Sequence, residues 1–448
     1  MKAPRLRTRV PGRKARAAIC RDEAVASPSY IKEHPLVVAR GRGCAVEDVD
    51  GNRFLDFAAG IATLSTGHAH PKVVRAIEAQ ARRYLHVCAT DFYDPEWTRL
   101  TSRLARLAPG RERKRVHLGN SGAEGVETAI KLVRAHTRRP RLLAFEGAFH
   151  GRTLGALSLT ASKPVQRAGF GPLVPGVTHV PYGNCYRCPL NLTYPSCGVA
   201  CVEGLRDTVL KTHTPAEEVA AIFVEPIQGE GGYVVPPPEY HRRLRRLCDE
   251  HGMLLVADEV QTGMGRTGRM FAIEHFGVAP DVIVAGKGIA SGLPLSATIA
   301  RASLMDWARG SHGSTFGGNP VACAAASATL DLLEGGLVAN AARTGAHLRR
   351  GLEELAARHH RIGDVRGLGL MQAVELVRDR ETKEPATEET AAVVRQAFAR
   401  GLVLLSCGRS TIRFCPPLVV TKAECDRALD ILDQSFAAVG RRRRRGTR

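Results

Sequence analysis

The chain is poor in lysine, with eleven against fifty-three arginines in 448 residues. Positive charge on its surface is therefore carried by arginine, and a lysine inside an apolar setting needs a reason other than surface charge. No uninterrupted apolar run approaches the roughly 18 residues of a membrane span, so the sequence reads as a soluble protein without a membrane partner. Acid is missing from both ends: residues 1–21 hold eight Lys/Arg and residues 441–448 hold six Arg, with no Asp or Glu in either. The net charge of +20 therefore sits in the tails, and the body between them has fifty basic against forty-four acidic residues. That distribution argues against a nucleic-acid-binding body and leaves two solvated ends, 1–29 and 439–448. The first of these has no Ser before Ser27, contains Pro4 and Pro11, and lacks an amphipathic repeat, so it reads as a flexible cytoplasmic tail and not as a presequence.

No signal peptide accompanies the twelve cysteines, which points to a reducing compartment and free thiols. One cluster stands apart: Cys185, Cys188, Cys197 and Cys201 in YGNCYRCPLNLTYPSCGVAC. Two close pairs are zinc-like, but the spacer between them is shorter than in ribbons or fingers. A reduced, Pro-rich loop whose thiols pack or occasionally pair is the plainer reading, with zinc as the alternative, and no metal ligand is assigned.

No internal repeat is apparent. Between Val116 and Ala300, apolar runs (RLLAF, VAAIFVEP, MLLVAD, DVIVAG, LSATIA) alternate with helical patterns such as EYHRRLRRLCDEHG. That rhythm predicts an α/β unit with a mostly parallel sheet covered by helices. Extended stretches between Tyr30 and Phe57 predict a small meander. GHAHPKVVRAIEAQARRYLH predicts a helix with Val73, Val74, Ile77 and Ala81 on one face. Beyond Pro320, helices followed by strands at GLMQAVEL and TIRFCPPL suggest a separate α+β part. The expected division is 30–70 with 331–438 as a smaller domain flanking a large domain over 71–330.

Asp258 ends the run MLLVAD, and Lys287 follows DVIVAG twenty-nine residues later. Buried parallel strands would bring both to the rim of one sheet, where open α/β sheets bind ligands. An amine and an acid there suit pyridoxal 5'-phosphate (PLP): the amine forms a Schiff base with its aldehyde, and the acid anchors the pyridinium nitrogen. In LGNSGAEGVETAIKLVR, Ser121 and Glu124 form a capping box at a helix start, which offers free N–H groups to a phosphate. FEGAFHGRT places Phe149, His150, Gly151 and Arg152 at the same rim, with a flat ring to lie against the cofactor.

In this order SGAEGVETAIKLVR, FHGRT, VEPIQGEGG, ADEVQTGMGRTG, AGKGIASGLPL and STFGGNPVACAAA resemble the class III aminotransferases of PLP fold type I. The resemblance runs from about Tyr30 to Phe436. It implies Lys287 as the Schiff-base lysine, Asp258 as partner of the ring nitrogen, Gln261 at the ring hydroxyl and Phe149 stacked on the ring. Ser121, Gly122 and Ala123 would hold the phosphate, completed by Thr315 from the neighbouring subunit of a homodimer, whether or not dimers pair into a tetramer. Arg152 would bind the distal carboxylate and Arg413 the α-carboxylate of glutamate. Glu230 would pair with Arg413 when the donor has no α-carboxylate, and Ile61 would contact the substrate chain. The implied reaction is ping-pong transfer from an ω-amino acid, first 4-aminobutyrate, to 2-oxoglutarate, with Lys287 as the proton carrier. Ornithine or acetylornithine transfer, and amino-acid racemisation on the same scaffold, are the alternatives. A basic nucleic-acid or membrane-binding protein on an inactive scaffold is disfavoured, because every catalytic residue is present.

Overall fold

A computed structural model describes residues 3–446, with side chains through residue 440. Its strands in chain order are β1 (Val38–Arg42), β2 (Ala45–Asp48), β3 (Arg53–Asp56), β4 (Lys114–Gly119), β5 (Arg141–Phe145), β6 (Val177–Val180), β7 (Val219–Val224), β8 (Leu254–Glu259), β9 (Val282–Ala285), β10 (Ser296–Arg301), β11 (Ile362–Leu368), β12 (Met371–Leu376), β13 (Leu402–Val403), β14 (Leu405–Cys407) and β15 (Thr411–Phe414). The central sheet has the order β4-β10-β9-β8-β7-β5-β6. Only β10, the LSATIA run, is antiparallel to its neighbours.

Both faces of this sheet are covered, and the period of two decides which side chain goes where. Leu142, Ala144, Val256 and Val284 face the helix Gly122–Thr137 and pack with its Val126, Ala129, Ile130 and Val133. Leu143, Phe145, Leu255, Ile283 and Ala285 face the other side, with Leu244 and Leu247 of the helix Tyr240–His251. Helix boundaries follow local chemistry. Pro71, Pro95 and Pro320 each occupy a first helical position behind the caps His70, Asp94 and Asn319. Gly252, at φ 61°, ends Tyr240–His251 in the left-handed conformation.

A second sheet, β1-β2-β3-β13, joins the two ends of the chain, since Leu402 of β13 pairs in parallel with Leu55 of β3. The third, β11-β12-β15-β14, is antiparallel and carries Arg413 on β15. The class is α/β with a smaller α+β part built from N- and C-terminal segments, as the sequence predicts.

Three expectations need correction. The start of the chain is packed, not loose: Arg5 exchanges two main-chain hydrogen bonds with Arg53, both 2.9 Å, and Asn52 Oδ1 accepts from the N–H groups of Arg7 and Thr8. Asp50 caps a helix Arg13–Glu23 by accepting from Lys14 and Ala15 N–H at 2.9 and 2.8 Å, and Ala15 is buried. Ala81 is exposed; the inward face of Pro71–Arg83 is Val73, Ile77 and Gln80, with Gln80 bonded to the Tyr84 carbonyl. Glu124 does not close a reciprocal capping box with Ser121, because its carboxylate accepts from Asn120 N–H, one residue earlier. Pro320–Arg358 is long and apolar enough by composition to cross a membrane, yet Ala322, Cys323, Ala325, Ala326 and Leu330 pack in the main core and Gly336, at φ 130°, breaks the run. The polybasic end continues as helix to Gly446, and the side chains of Arg441–Arg445 lie outside the described residues.

Replacing Asp50 with Ala removes the acceptor of two helix-start N–H groups. Limited trypsinolysis of the native protein is expected to cut at Arg13, Lys14 or Arg16 several-fold faster in D50A, and an unchanged digestion rate would show that the segment is held by other contacts.

Candidate active site

Strands β8 and β9 lie side by side in parallel, with Asp258 opposite Val284 and Glu259 opposite Ala285. The chain leaves β9 through Gly286 and turns sharply, so that Lys287 takes φ 41°, a strained value for a residue with a side chain. Asp258 and Lys287 are thus delivered to one edge of the sheet. Asp258 is buried; its Oδ2 accepts from His150 Nδ1 at 2.7 Å and its Oδ1 from Val260 N–H at 3.0 Å. Burial opposes charge on His150, but the hydrogen bond and the charge of Asp258 outweigh it and raise its pKa.

The amine of Lys287 has no hydrogen-bond or ion-pair partner among the described residues. Burial, helped by the charge of Arg413, holds its pKa below the usual lysine value against the pull of Asp258 and Glu225. A partly buried amine without a partner is costly in a folded protein and is a reactive group when a carbonyl arrives.

Gly122 and Ala123, with Ser121 before them, open the helix after β4. The N–H groups of all three have no acceptor among the described residues, and Ser121 Oγ accepts only from Glu124 N–H, at 3.2 Å. Two glycines bring this turn to the rim. A Cβ on Gly286 would lie 3.5 Å from Gly122 Cα, and one on Gly151 would lie 2.8 Å from Ala123 Cβ. The phosphate-type turn, the lysine loop and the FHGR loop are therefore in contact.

Phe149 is half-buried, and the Arg152 guanidinium lies 5.5 Å from the centre of its ring. Gln261 is buried against Gly229, and its Oε1 has no partner among the described residues. Arg413, 7% exposed, donates from Nη1 to Glu230 Oε2 at 3.3 Å. Ile61 sits in a left-handed turn, φ 62°, which Asp56 holds by accepting from Ala58 and Ala59 N–H, both at 2.9 Å. Thr315 is exposed on the chain's own surface, and its neighbour Ser314 accepts from Asn120 beside the phosphate-type turn.

Three residues here were given no role from sequence. His150 stands inside the motif FHGRT, but nothing in the motif shows that its ring turns onto Asp258. Glu225 ends the run VAAIFVEP just as Asp258 ends its own, and that likeness was a usable signal. Its carboxylate accepts from Phe149 and Gly229 N–H, both 2.8 Å, and burial pushes its pKa up to about 7 against the opposing charge of His150. Lys163 donates to Glu230 Oε1 at 2.7 Å, and the scarcity of lysine could have singled it out.

The four clustered cysteines are free, and among the described residues no group of three or more His, Cys, Asp or Glu is placed to hold a metal. Their loop is pinned to the small domain by Arg187 to Glu375 and by Lys383 Nζ to the Tyr186 carbonyl.

A profile of the family described as aminotransferase class-III matches residues 27–436. The chain belongs to the class III aminotransferases. It is 43% identical over 407 residues to a 4-aminobutyrate aminotransferase of Escherichia coli, covering 90% of this chain and 94% of that one. It is also 42% identical over 444 residues to an alanine/serine racemase of Pyrococcus horikoshii, covering 97% and 93%. Among solved structures it resembles an amine transaminase from an uncultivated Pseudomonas species in its PLP-bound form, with a TM-score of 0.86 and 34% identity over 93% of this chain and 97% of that one.

Class III aminotransferases depend on PLP, and the residues present fit that group. The unpaired amine, the buried carboxylate, the free N–H groups at Ser121–Ala123 and the orphaned Gln261 Oε1 each offer what one part of the cofactor lacks. Substituting His150 with Phe strips Asp258 of its short charged hydrogen bond, a loss of roughly 1.5–3 kcal/mol. Spectrophotometric titration of H150F apoenzyme is expected to give a PLP Kd about 10- to 100-fold weaker than wild type. An unchanged Kd would show that Asp258 is positioned without the histidine.

Proposed function

We propose that this class III aminotransferase moves the amino group of an ω-amino acid, with 4-aminobutyrate as first choice, to 2-oxoglutarate. The observation that carries the reading is the Glu230–Arg413 pair. A buried guanidinium is costly without an anion, and here a side chain of the protein supplies one. A donor without an α-carboxylate leaves that pair intact, whereas glutamate or 2-oxoglutarate brings its own anion and takes the guanidinium over.

Asp258 would hold the ring nitrogen, Gln261 the ring hydroxyl, Phe149 the ring face, and Ser121, Gly122 and Ala123 the phosphate. When bound, the cofactor supplies an electron sink for the charge left on the substrate carbon. Lys287 moves the proton: its lowered pKa leaves more of the amine neutral at physiological pH, and Nζ takes the proton from the carbon bearing the amino group. Arg152, beside Phe149, binds the carboxylate at the far end of the donor, and Ile61 borders the substrate chain from its held turn. Thr315, exposed on one chain, reaches the phosphate of a second, so the active form is a homodimer. The release of one product before the second substrate binds gives ping-pong kinetics.

Racemisation is the second reading, favoured by the 42% identity to the alanine/serine racemase. It requires two proton carriers on opposite faces of one carbon and no net loss of the amine.

A half-reaction screen decides between them. The holoenzyme is mixed with 4-aminobutyrate, ornithine, N-acetylornithine, β-alanine or L-leucine while the visible band of PLP is followed. The band is expected to bleach with 4-aminobutyrate and to return with 2-oxoglutarate; inversion of L-leucine without any oxo acid would move the assignment to racemase.

A further inference from the structure

Glu230 is held by two cations, and only Arg413 belongs to the substrate site proposed above. Its Oε2 accepts from Arg413 at 3.3 Å, while Oε1 accepts from Lys163 at the shorter distance of 2.7 Å. The three side chains form a graded series from inside to outside: Arg413 is 7% exposed, Glu230 19% and Lys163 36%. The backbone that carries Glu230 is fixed. Its carbonyl accepts from Gly408 N–H at 2.8 Å, and a Cβ on the following Gly231 would lie 2.5 Å from the Gly147 carbonyl oxygen. Exchange of partners at this carboxylate is therefore a matter of side-chain rotation.

We infer that Lys163 is the resting counter-ion of Glu230, the residue to which this carboxylate stays bound while the α-carboxylate of glutamate or 2-oxoglutarate occupies Arg413. The inference deepens the aminotransferase reading and rests on it. An incoming carboxylate that displaced Glu230 from its sole cation would strand a mostly buried anion, which is costly. With Lys163 in place the carboxylate loses the longer of its two bonds and keeps the shorter. Arg413 has capacity for the newcomer, because its Nε is buried with no acceptor among the described residues. The neighbouring Cys407 does not compete as an anion, since burial pushes its thiol up to about 12. Lys163 touches neither the lysine loop nor the phosphate-type turn by any hydrogen bond or ion pair, so it acts through Glu230 as a positioning residue for one of the two half-reactions.

Lys163→Met leaves Glu230 with Arg413 as its only cation among the described residues. The ratio of kcat/KM for glutamate to that for 4-aminobutyrate is then expected to fall on the order of tenfold, mainly through KM, and the inhibition constant of the unreactive dicarboxylate glutarate to rise by a like factor. Lys163→Arg is expected to retain the wild-type ratio. The effect of Lys163→Met on the glutarate constant is expected to vanish when both members of the comparison also carry Glu230→Gln, because a neutral amide needs no counter-ion; a purely structural lysine would cost the same in either background. A ratio and a glutarate constant unchanged in Lys163→Met, in an enzyme whose wild type converts glutamate to 2-oxoglutarate, would overturn the inference alone. A wild type that forms no 2-oxoglutarate from glutamate would overturn the aminotransferase reading and this inference with it.

Discussion

Two buried strands run parallel and in register, and each releases a charged residue as it reaches the same edge of the sheet. Asp258 is the fifth residue of β8, opposite Val284, and Lys287 lies two residues beyond the end of β9. Parallel pairing forces both strands to finish on one side, so an acid and an amine far apart in sequence meet without any loop having to be aimed. The apolar residues of β8 and β9 pack into the two cores, one on each face, and that packing is what holds the charged edge in place.

Around this edge the protein keeps several ionisable groups that a hydrophobic core would exclude. Glu225 is raised to about 7, His150 is raised by the hydrogen bond and charge of Asp258 against burial, and Lys287 is lowered with no partner of its own among the described residues. Perturbations in both directions at one cleft are the mark of a site arranged for chemistry at the expense of local stability. Left-handed backbone at Lys287 and at Ile61 adds strain at the same lip. The Arg413–Glu230–Lys163 series differs in kind: there every charge has a partner, and what the arrangement offers is a choice between partners.

Much of this was legible in the sequence, and the reasons are specific. β-Branched runs ending in Asp258 and before Lys287 report strand, burial and terminus together, so the sheet edge could be read directly. The turn at Ser121–Ala123 was equally plain, because a capped helix start is a local signal. Side-chain direction was not local. That His150 turns onto Asp258 and that Glu225 ties Phe149 to Gly229 depend on loops meeting across the rim, while Glu124 chooses between two neighbouring N–H groups, of Asn120 and Ser121, that the sequence alone does not rank. The N-terminal segment misled for a related reason: its composition is that of a solvated tail, but Asp50 and Asn52, in the turn between β2 and β3, supply acceptors that anchor it. Composition reports what a segment can tolerate, and only tertiary contacts report what it is bonded to.

The account stands or falls on which lysine carries the cofactor. Holoenzyme reduced with borohydride, digested and mapped by mass spectrometry should show the pyridoxyl label on Lys287 alone among the eleven lysines. A stoichiometric label on any other lysine, or none on Lys287, would contradict it.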